Sequence, residues 1–177
     1  MNRPTRFALL ACAIVALGCA STHSSPPQTT VPHVDLARYA GTWYEIASFP
    51  MIFQRGCVAT NATYVPRPDG KIGVRNRCRD ESFDGDERGV EGIAWPLDES
   101  NAKLAVQFFW PFTGDYWVLA LDPEYRWAVV GHPDRDYLWI LSRTRQIDPA
   151  LYEELVERAR AQGYDVSRLV KTPQPTP

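Results

Sequence analysis

From residue 43 onward, apolar and polar positions fall into short runs of five to eight residues bounded by turn chemistry. The runs, rich in β-branched and aromatic residues, cover 43–48, 58–65, 71–78, 89–95, 103–109, 116–121, 127–131 and 137–142. Between them stand Pro68-Asp69-Gly70, Asp84-Gly85-Asp86, Asp98-Glu99-Ser100-Asn101, Thr113-Gly114, Asp122-Pro123-Glu124 and His132-Pro133-Asp134. Such separators favour tight reversals, and the links suit antiparallel neighbours. Eight short strands at even spacing predict an all-β sandwich or barrel, and closure into a barrel also removes exposed strand edges. An eight-stranded barrel has an interior wide enough for one small ligand.

The period then changes. Asp148 has the chemistry of an N-cap, Pro149 suits the first helical position and Gly163 is a C-terminal stop. Leu151, Leu155, Val156 and Ala159 share one face, with Glu153, Glu154, Glu157, Arg158 and Arg160 on the rest. One amphipathic α-helix after eight strands is expected to pack outside the barrel.

The first 33 residues follow neither pattern. Residues 1–18 read as a secretory leader, with Arg3 and Arg6 before an apolar run of about eleven residues and Gly18 before Cys19. That run is short of the roughly 20 residues that span a bilayer. Ala16-Leu17-Gly18-Cys19 resembles a bacterial lipobox, in which the cysteine is acylated and becomes the mature N-terminus. Acylation of Cys19 would anchor the protein in membrane lipid, and Ala20 rather than Asp after the cysteine resembles sorted bacterial lipoproteins, a resemblance that implies the outer membrane, facing the periplasm. Ordinary cleavage nearby, giving a soluble periplasmic protein, is the alternative. Residues 19–33, rich in Ser, Thr and Pro, have the composition of a flexible tether, leaving 34–177 as one folded domain.

Of 19 basic and 21 acidic residues, two bases lie in the leader, so the remainder is net acidic. A nucleic-acid partner would want a basic face, and none is expected. Arg75, Arg77 and Arg79 are followed at once by acids from Asp80 to Glu87. Cys12 leaves with the leader and Cys19 has its own role, so Cys57 and Cys78 remain as a pair in an oxidising compartment. The hairpin turning at residues 66–70 would bring them near each other; a disulfide is the better reading, free thiols the other.

Longer stretches carry a family resemblance. Gly41-Thr42-Trp43-Tyr44-Glu45-Ile46-Ala47, Ala62-Thr63-Tyr64 and Ala120-Leu121-Asp122 with Glu124-Tyr125-Arg126 all contribute to it. The most specific stretch is Pro133-Asp134-Arg135-Asp136-Tyr137-Leu138-Trp139-Ile140-Leu141-Ser142-Arg143, with Gly163-Tyr164-Asp165-Val166-Ser167 near the end. In these residues the chain resembles the bacterial lipocalins of the outer-membrane lipoprotein type and, more distantly, apolipoprotein D and the plant temperature-induced lipocalins. The resemblance implies an eight-stranded antiparallel up-and-down β-barrel that binds a small hydrophobic ligand, without a cofactor. It also implies that Gly41 and Trp43 lie at the closed end, with Arg143 from the last strand packed on the Trp43 ring.

With the closed end at Trp43, the first link (49–56) and the fifth (110–114) belong to the mouth. Phe49, Met51, Ile52 and Phe53 in one, with Phe108, Phe109, Trp110 and Phe112 around the other, would line or lid it, plug the core or contact a second subunit. Tyr137, Trp139 and Leu141 share a face with Arg143, which makes Tyr137 and Trp139 candidates for the cavity wall. Tyr116 is a further candidate, although the inward face of its strand is open. Glu45, Asn61, Gln107 and Arg75 are polar groups able to receive a headgroup. The candidate ligand-facing set is therefore Trp139, Tyr137, Tyr116, Phe108, Phe53 and Trp110.

Catalytic patterns are missing from the sequence: there is no Gly-x-Ser-x-Gly elbow, no His-Glu-x-x-His and no phosphate-cradling glycine loop. His23 and His33 lie in or beside the tether, and His132 has the setting of a turn cap rather than of a metal ligand with Asp134 and Asp136. The expected function is non-covalent binding of a fatty acid or lysophospholipid, for lipid storage or transport in envelope maintenance under stress. The alternatives are an enzyme acting on a lipid, which free Cys57 and Cys78 thiols inside the barrel would favour, and a mainly structural homodimer.

Overall fold

A computed structural model describes residues 26–176; the leader, Cys12 and Cys19 lie outside the described residues. Nine strands run β1 Gly41–Ser48, β2 Cys57–Pro66, β3 Ile72–Asp80, β4 Glu87–Pro96, β5 Lys103–Phe109, β6 Phe112–Leu121, β7 Trp127–Gly131, β8 Leu138–Ser142 and β9 Val170–Lys171. Two α-helices, α1 Leu36–Tyr39 and α2 Pro149–Ala161, and two 3-10 turns, Ile52–Gln54 and Val166–Arg168, complete the described elements. From β1 to β8 each strand pairs antiparallel with its sequence neighbour, and β8 returns to β1, which closes an eight-stranded barrel. The expected strands are all present, with ends displaced by a few residues.

Closure is uneven along the β1–β2 seam. These strands pair only from Gly41↔Tyr64 to Tyr44↔Asn61. Toward the mouth they part, and β9 pairs with Ala47 and Ser48 in the gap. Thr172 N donates to Ile46 O at 2.9 Å, Ala59 N to Pro173 O at 2.8 Å, and the Gln174 amide bridges Glu45 O and Thr60 O. The C-terminal segment thus supplies hydrogen bonds that the two parted edges would otherwise lack.

Two apolar clusters divide at the barrel wall. The inner one contains Trp43, Tyr64, Val74, Ala94, Leu104, Val118, Val130 and Leu141. The outer one packs Ile46, Leu119, Val129 and Ile140 against Tyr152, Leu155, Val156 and Ala159 of α2. Asp148 accepts a hydrogen bond from Ala150 N, and Gly163 follows the helix at φ +85°. Strict alternation fails in β6, where a register shift between Val118 and Ala120 lets both Val118 and Leu121 contact the inner cluster. A bulge adds one residue and resets which face follows.

Residues 19–33 are not a free tether throughout. Val34 is buried beneath the barrel and donates to Ser100 O at 2.8 Å, while Val31 N donates to Val118 O at 3.0 Å. Thr29 and Gln162 exchange backbone–amide hydrogen bonds, Gln28 donates to His132 O and Tyr164 Oη, and Arg135 donates to Pro26 O. The segment climbs the outer wall beside α2, from the closed end at Ser100 to the β7–β8 link at the mouth. Its composition is that of a linker, but specific polar partners on the wall hold it.

Candidate functional site

The floor of the barrel is built around Arg143. Its guanidinium carbon sits 3.9 Å from the centroid of the Trp43 ring. Its nitrogens donate to the carbonyls of Thr42, Arg38, Tyr39, Ala40 and Tyr125 at 2.8–3.3 Å. Trp43 is fully buried and its Nε1 donates to Tyr39 O at 2.8 Å. Gly41 adopts φ +93°, where a Cβ would also press within 3.4 Å of an Arg143 nitrogen. A planar five-donor fork matches this ring of carbonyls; a lysine ammonium does not.

Above the floor an aromatic series climbs one wall. Tyr39 lies 4.8 Å from Trp43 and 5.5 Å from Tyr64, which meets Tyr116 at 6.0 Å. Tyr116 stacks on Trp139 at 6.5 Å, and Trp139 on Tyr137 at 6.0 Å. The Tyr116 hydroxyl is 2.7 Å from that of Tyr39 and accepts from that of Tyr64 at 2.9 Å. Burial pushes all three hydroxyls upward, that of Tyr64 to about 12, so they stay neutral at physiological pH. Tyr39 and Tyr64 were not among the residues expected to face a ligand; only their spacing from Trp43 and Ala62 hinted at them.

Burial along the inner face changes with height. Near the floor Tyr64, Val74, Ala94, Leu104, Val118 and Leu141 are buried. Nearer the mouth the inward-facing Ala62, Val106, Phe108, Tyr116 and Trp139 are only partly buried, though all contact the inner cluster. The inner face is therefore fully buried below and only partly covered above, where its wall is apolar and aromatic. Tyr137, placed on this wall from sequence, stacks on Trp139 at its upper end, where it precedes β8 and stands at the rim, 39% exposed and beside His132. Phe53 and Trp110 point away from the interior, 67% and 86% exposed. Of the six expected ligand-facing residues, Trp139, Tyr116 and Phe108 line the interior and the other three ring the mouth.

The polar candidates separate in the same way. Arg75 is exposed and paired with Glu91. Glu45 is buried at the seam, beside a cleft of about 310 Å³ bounded by Met51, Gln54, Thr60 and the C-terminal segment. Its carboxylate accepts from Ser48, Gln54 and Thr172. Burial raises its pKa above 4.5, and those hydrogen bonds only partly oppose the shift. A carboxyl that holds its proton more tightly when folded favours the fold less as pH rises from its unfolded value through its folded one. The melting temperature of the parent should accordingly fall relative to Glu45→Gln as pH rises above 4.5. Parallel melting curves from pH 4 to 8 would show that Glu45 titrates as in the unfolded chain.

Cys57 and Cys78 form a disulfide across the β2–β3 hairpin, with Cα atoms 5.4 Å apart and 21 residues of separation. A loop of that length stabilises by about 3 kcal/mol in the chain-entropy view. The double variant Cys57→Ser, Cys78→Ser is expected to melt about 10 °C lower by calorimetry. His132 accepts at Nδ1 from Asp134 N at 3.2 Å, the geometry of a turn.

The barrel is closed and antiparallel, with Arg143 over Trp43 at a packed floor and partly covered aromatics toward the mouth. The family model described as a lipocalin-like domain matches residues 34–174. The chain belongs to the lipocalin family. Among its relatives, this lipocalin is 48% identical to temperature-induced lipocalin-1 of Arabidopsis thaliana over 81% of each chain. It is 42% identical to the outer membrane lipoprotein Blc of Citrobacter freundii over 95% of each. Insecticyanin from the tobacco hornworm Manduca sexta shares the fold, with a TM-score of 0.65 at 23% identity over 84% of this lipocalin and 85% of that chain.

Proposed function

We propose that this lipocalin carries a single-chain lipid, a fatty acid or lysophospholipid, in the upper half of its barrel while anchored to the bacterial outer membrane through acylated Cys19. The observation that carries the reading is the change in burial along the inner face. Partly buried apolar and aromatic residues sit above a packed floor, which supports an apolar ligand space entered from the mouth. An acyl chain entering it gains about 0.8 kcal/mol per methylene removed from water, and an open mouth leaves a polar headgroup in solvent. The membrane location follows the Blc relatives, which are outer membrane lipoproteins, together with the lipobox-like residues before Cys19. Storage or transport of lipid during envelope maintenance under stress is the role that suits such a carrier. The catalytic alternative loses its proposed sign, because Cys57 and Cys78 are bonded to each other.

Titration with oleate and with lysophosphatidylethanolamine, followed by tryptophan emission, tests the proposal. Trp139 lines the interior, so saturable binding at one lipid per chain with a change in emission is expected. No response to either lipid would refute the carrier reading. Mass analysis of the N-terminal peptide tests the anchor separately: an unmodified Cys19 would remove it.

A further inference from the structure

The mouth of the barrel is ringed by exposed apolar side chains on three separate links. Ile52 and Phe53 in the β1–β2 link are 89% and 67% exposed; Phe109, Trp110 and Phe112 at the β5–β6 link are 69%, 86% and 76% exposed. Phe83 in the β3–β4 link is 47% exposed. None of these residues belongs to either apolar cluster or to those partly buried against it. Exposed apolar side chains gathered at one end of a fold mark an interaction site, and Trp and Phe suit the boundary between headgroups and acyl chains.

The route of the N-terminal segment identifies what covers that end. Pro26, the first described residue, is held by Arg135 in the β7–β8 link, at the mouth. Cys19 lies seven residues earlier, and seven residues span at most about 25 Å. A ten-residue barrel strand such as β2 extends over roughly 30 Å along its own length. Placing the closed end on the membrane would stretch the whole arm back along the wall, whereas placing the mouth there leaves slack. We infer that this lipocalin stands mouth-down, with Ile52, Phe53, Phe109, Trp110 and Phe112 inserted into the lipid surface that holds its anchor. The inference rests on the reading of Cys19 as acylated, and it replaces a barrel standing off at the end of a loose tether. Lipid would then pass between bilayer and barrel without crossing water.

A second copy is the other occupant this end could take. Glu81, Asp84 and Asp86 in the β3–β4 link and Asp134 and Asp136 in the β7–β8 link share the rim with the aromatics. Arg55, Arg79, Arg88 and Arg135 stand at the same end, so charge does not choose between a second copy and lipid there; the reach of the N-terminal arm does.

The test uses the acylated protein reconstituted in vesicles of phosphatidylethanolamine and phosphatidylglycerol, with and without brominated acyl chains. Subtracting the emission of Trp110→Phe isolates Trp110, which should lose more than half its intensity to the brominated lipid. Equal intensity in both vesicles would overturn the inference. A second arm uses the mature chain from residue 19 with Cys19→Ser, without leader or acyl group, so that neither can bind lipid. Adding Phe53→Ser, Phe109→Ser, Trp110→Ser and Phe112→Ser should lower vesicle partition at least tenfold and leave the melting temperature and the oleate titration unchanged. Unaltered partition, or a dimer that these four changes dissociate while Trp110 stays unquenched in vesicles, would also overturn it. The oleate titration reports on carriage and not on docking, so failure of one is distinct from failure of the other.

Discussion

Replacing Arg143 by alanine is expected to lower stability by about 3 kcal/mol, combining loss of a desolvated cation–π contact with donors withdrawn from five carbonyls. For a domain of this size the melting temperature should drop by about 10 °C. Arg143→Lys should recover less than half, because a point charge cannot reach Thr42 O, Ala40 O and Tyr125 O together while covering the Trp43 ring. Oleate affinity of the folded fraction should stay within about twofold of the parent, since Arg143 lies under the packed floor. Calorimetry and a lipid titration on the same samples separate the two effects. Lost oleate binding at an unchanged melting temperature would move Arg143 from the floor into the ligand site.

The second large effect belongs to the upper barrel. Val106 is partly buried on the inner face of β5 and opposite Gly114 in register. In Val106→Trp the added ring would occupy the space of roughly three methylenes, at about 0.8 kcal/mol each. Oleate affinity should weaken about 50-fold, with the melting temperature within about 2 °C of the parent because the ring enters open space. Val106→Ala, which enlarges that space, should bind at least as well as the parent. If Val106→Trp instead melts several degrees lower, as an overpacked core does, and still binds oleate normally, the ligand lies elsewhere.

The parts of this molecule visible in its sequence are those written in local chemistry. Pro68-Asp69-Gly70 and Asp122-Pro123-Glu124 mark reversals whatever surrounds them, and Asp148-Pro149 opens α2 where the cap predicts. The Cys57–Cys78 disulfide followed from compartment and hairpin together. What escaped depends on contacts distant in sequence. β9 is two residues long and ends in Lys171, so nothing local distinguishes it from a loop; it exists because β1 and β2 part beside Ala47. The β6 bulge exchanges the two faces within one strand, which no period-two reading reports. Gln28 to Val31 have linker composition and became part of the wall through His132, Gln162 and Val118.

The candidate site divides along the same line. Trp139 was legible because it lies two turns of alternation from Arg143, and that residue is tied to the floor by the family pattern. Tyr137 has the same parity and continues the stack on Trp139, but it precedes the strand, so parity alone did not show that it stands at the rim. Phe53 and Trp110 are apolar in links, and composition alone does not tell a lid from an exposed ring. Their direction depends on the fold of the mouth.

Native mass spectrometry of the protein after gentle extraction from bacterial envelopes tests the central claim most directly. A predominant species carrying one fatty acid or lysophospholipid per chain, absent from Val106→Trp prepared in parallel, is the predicted result. A parent chain that emerges empty and takes up neither oleate nor lysophosphatidylethanolamine when they are added would contradict the account.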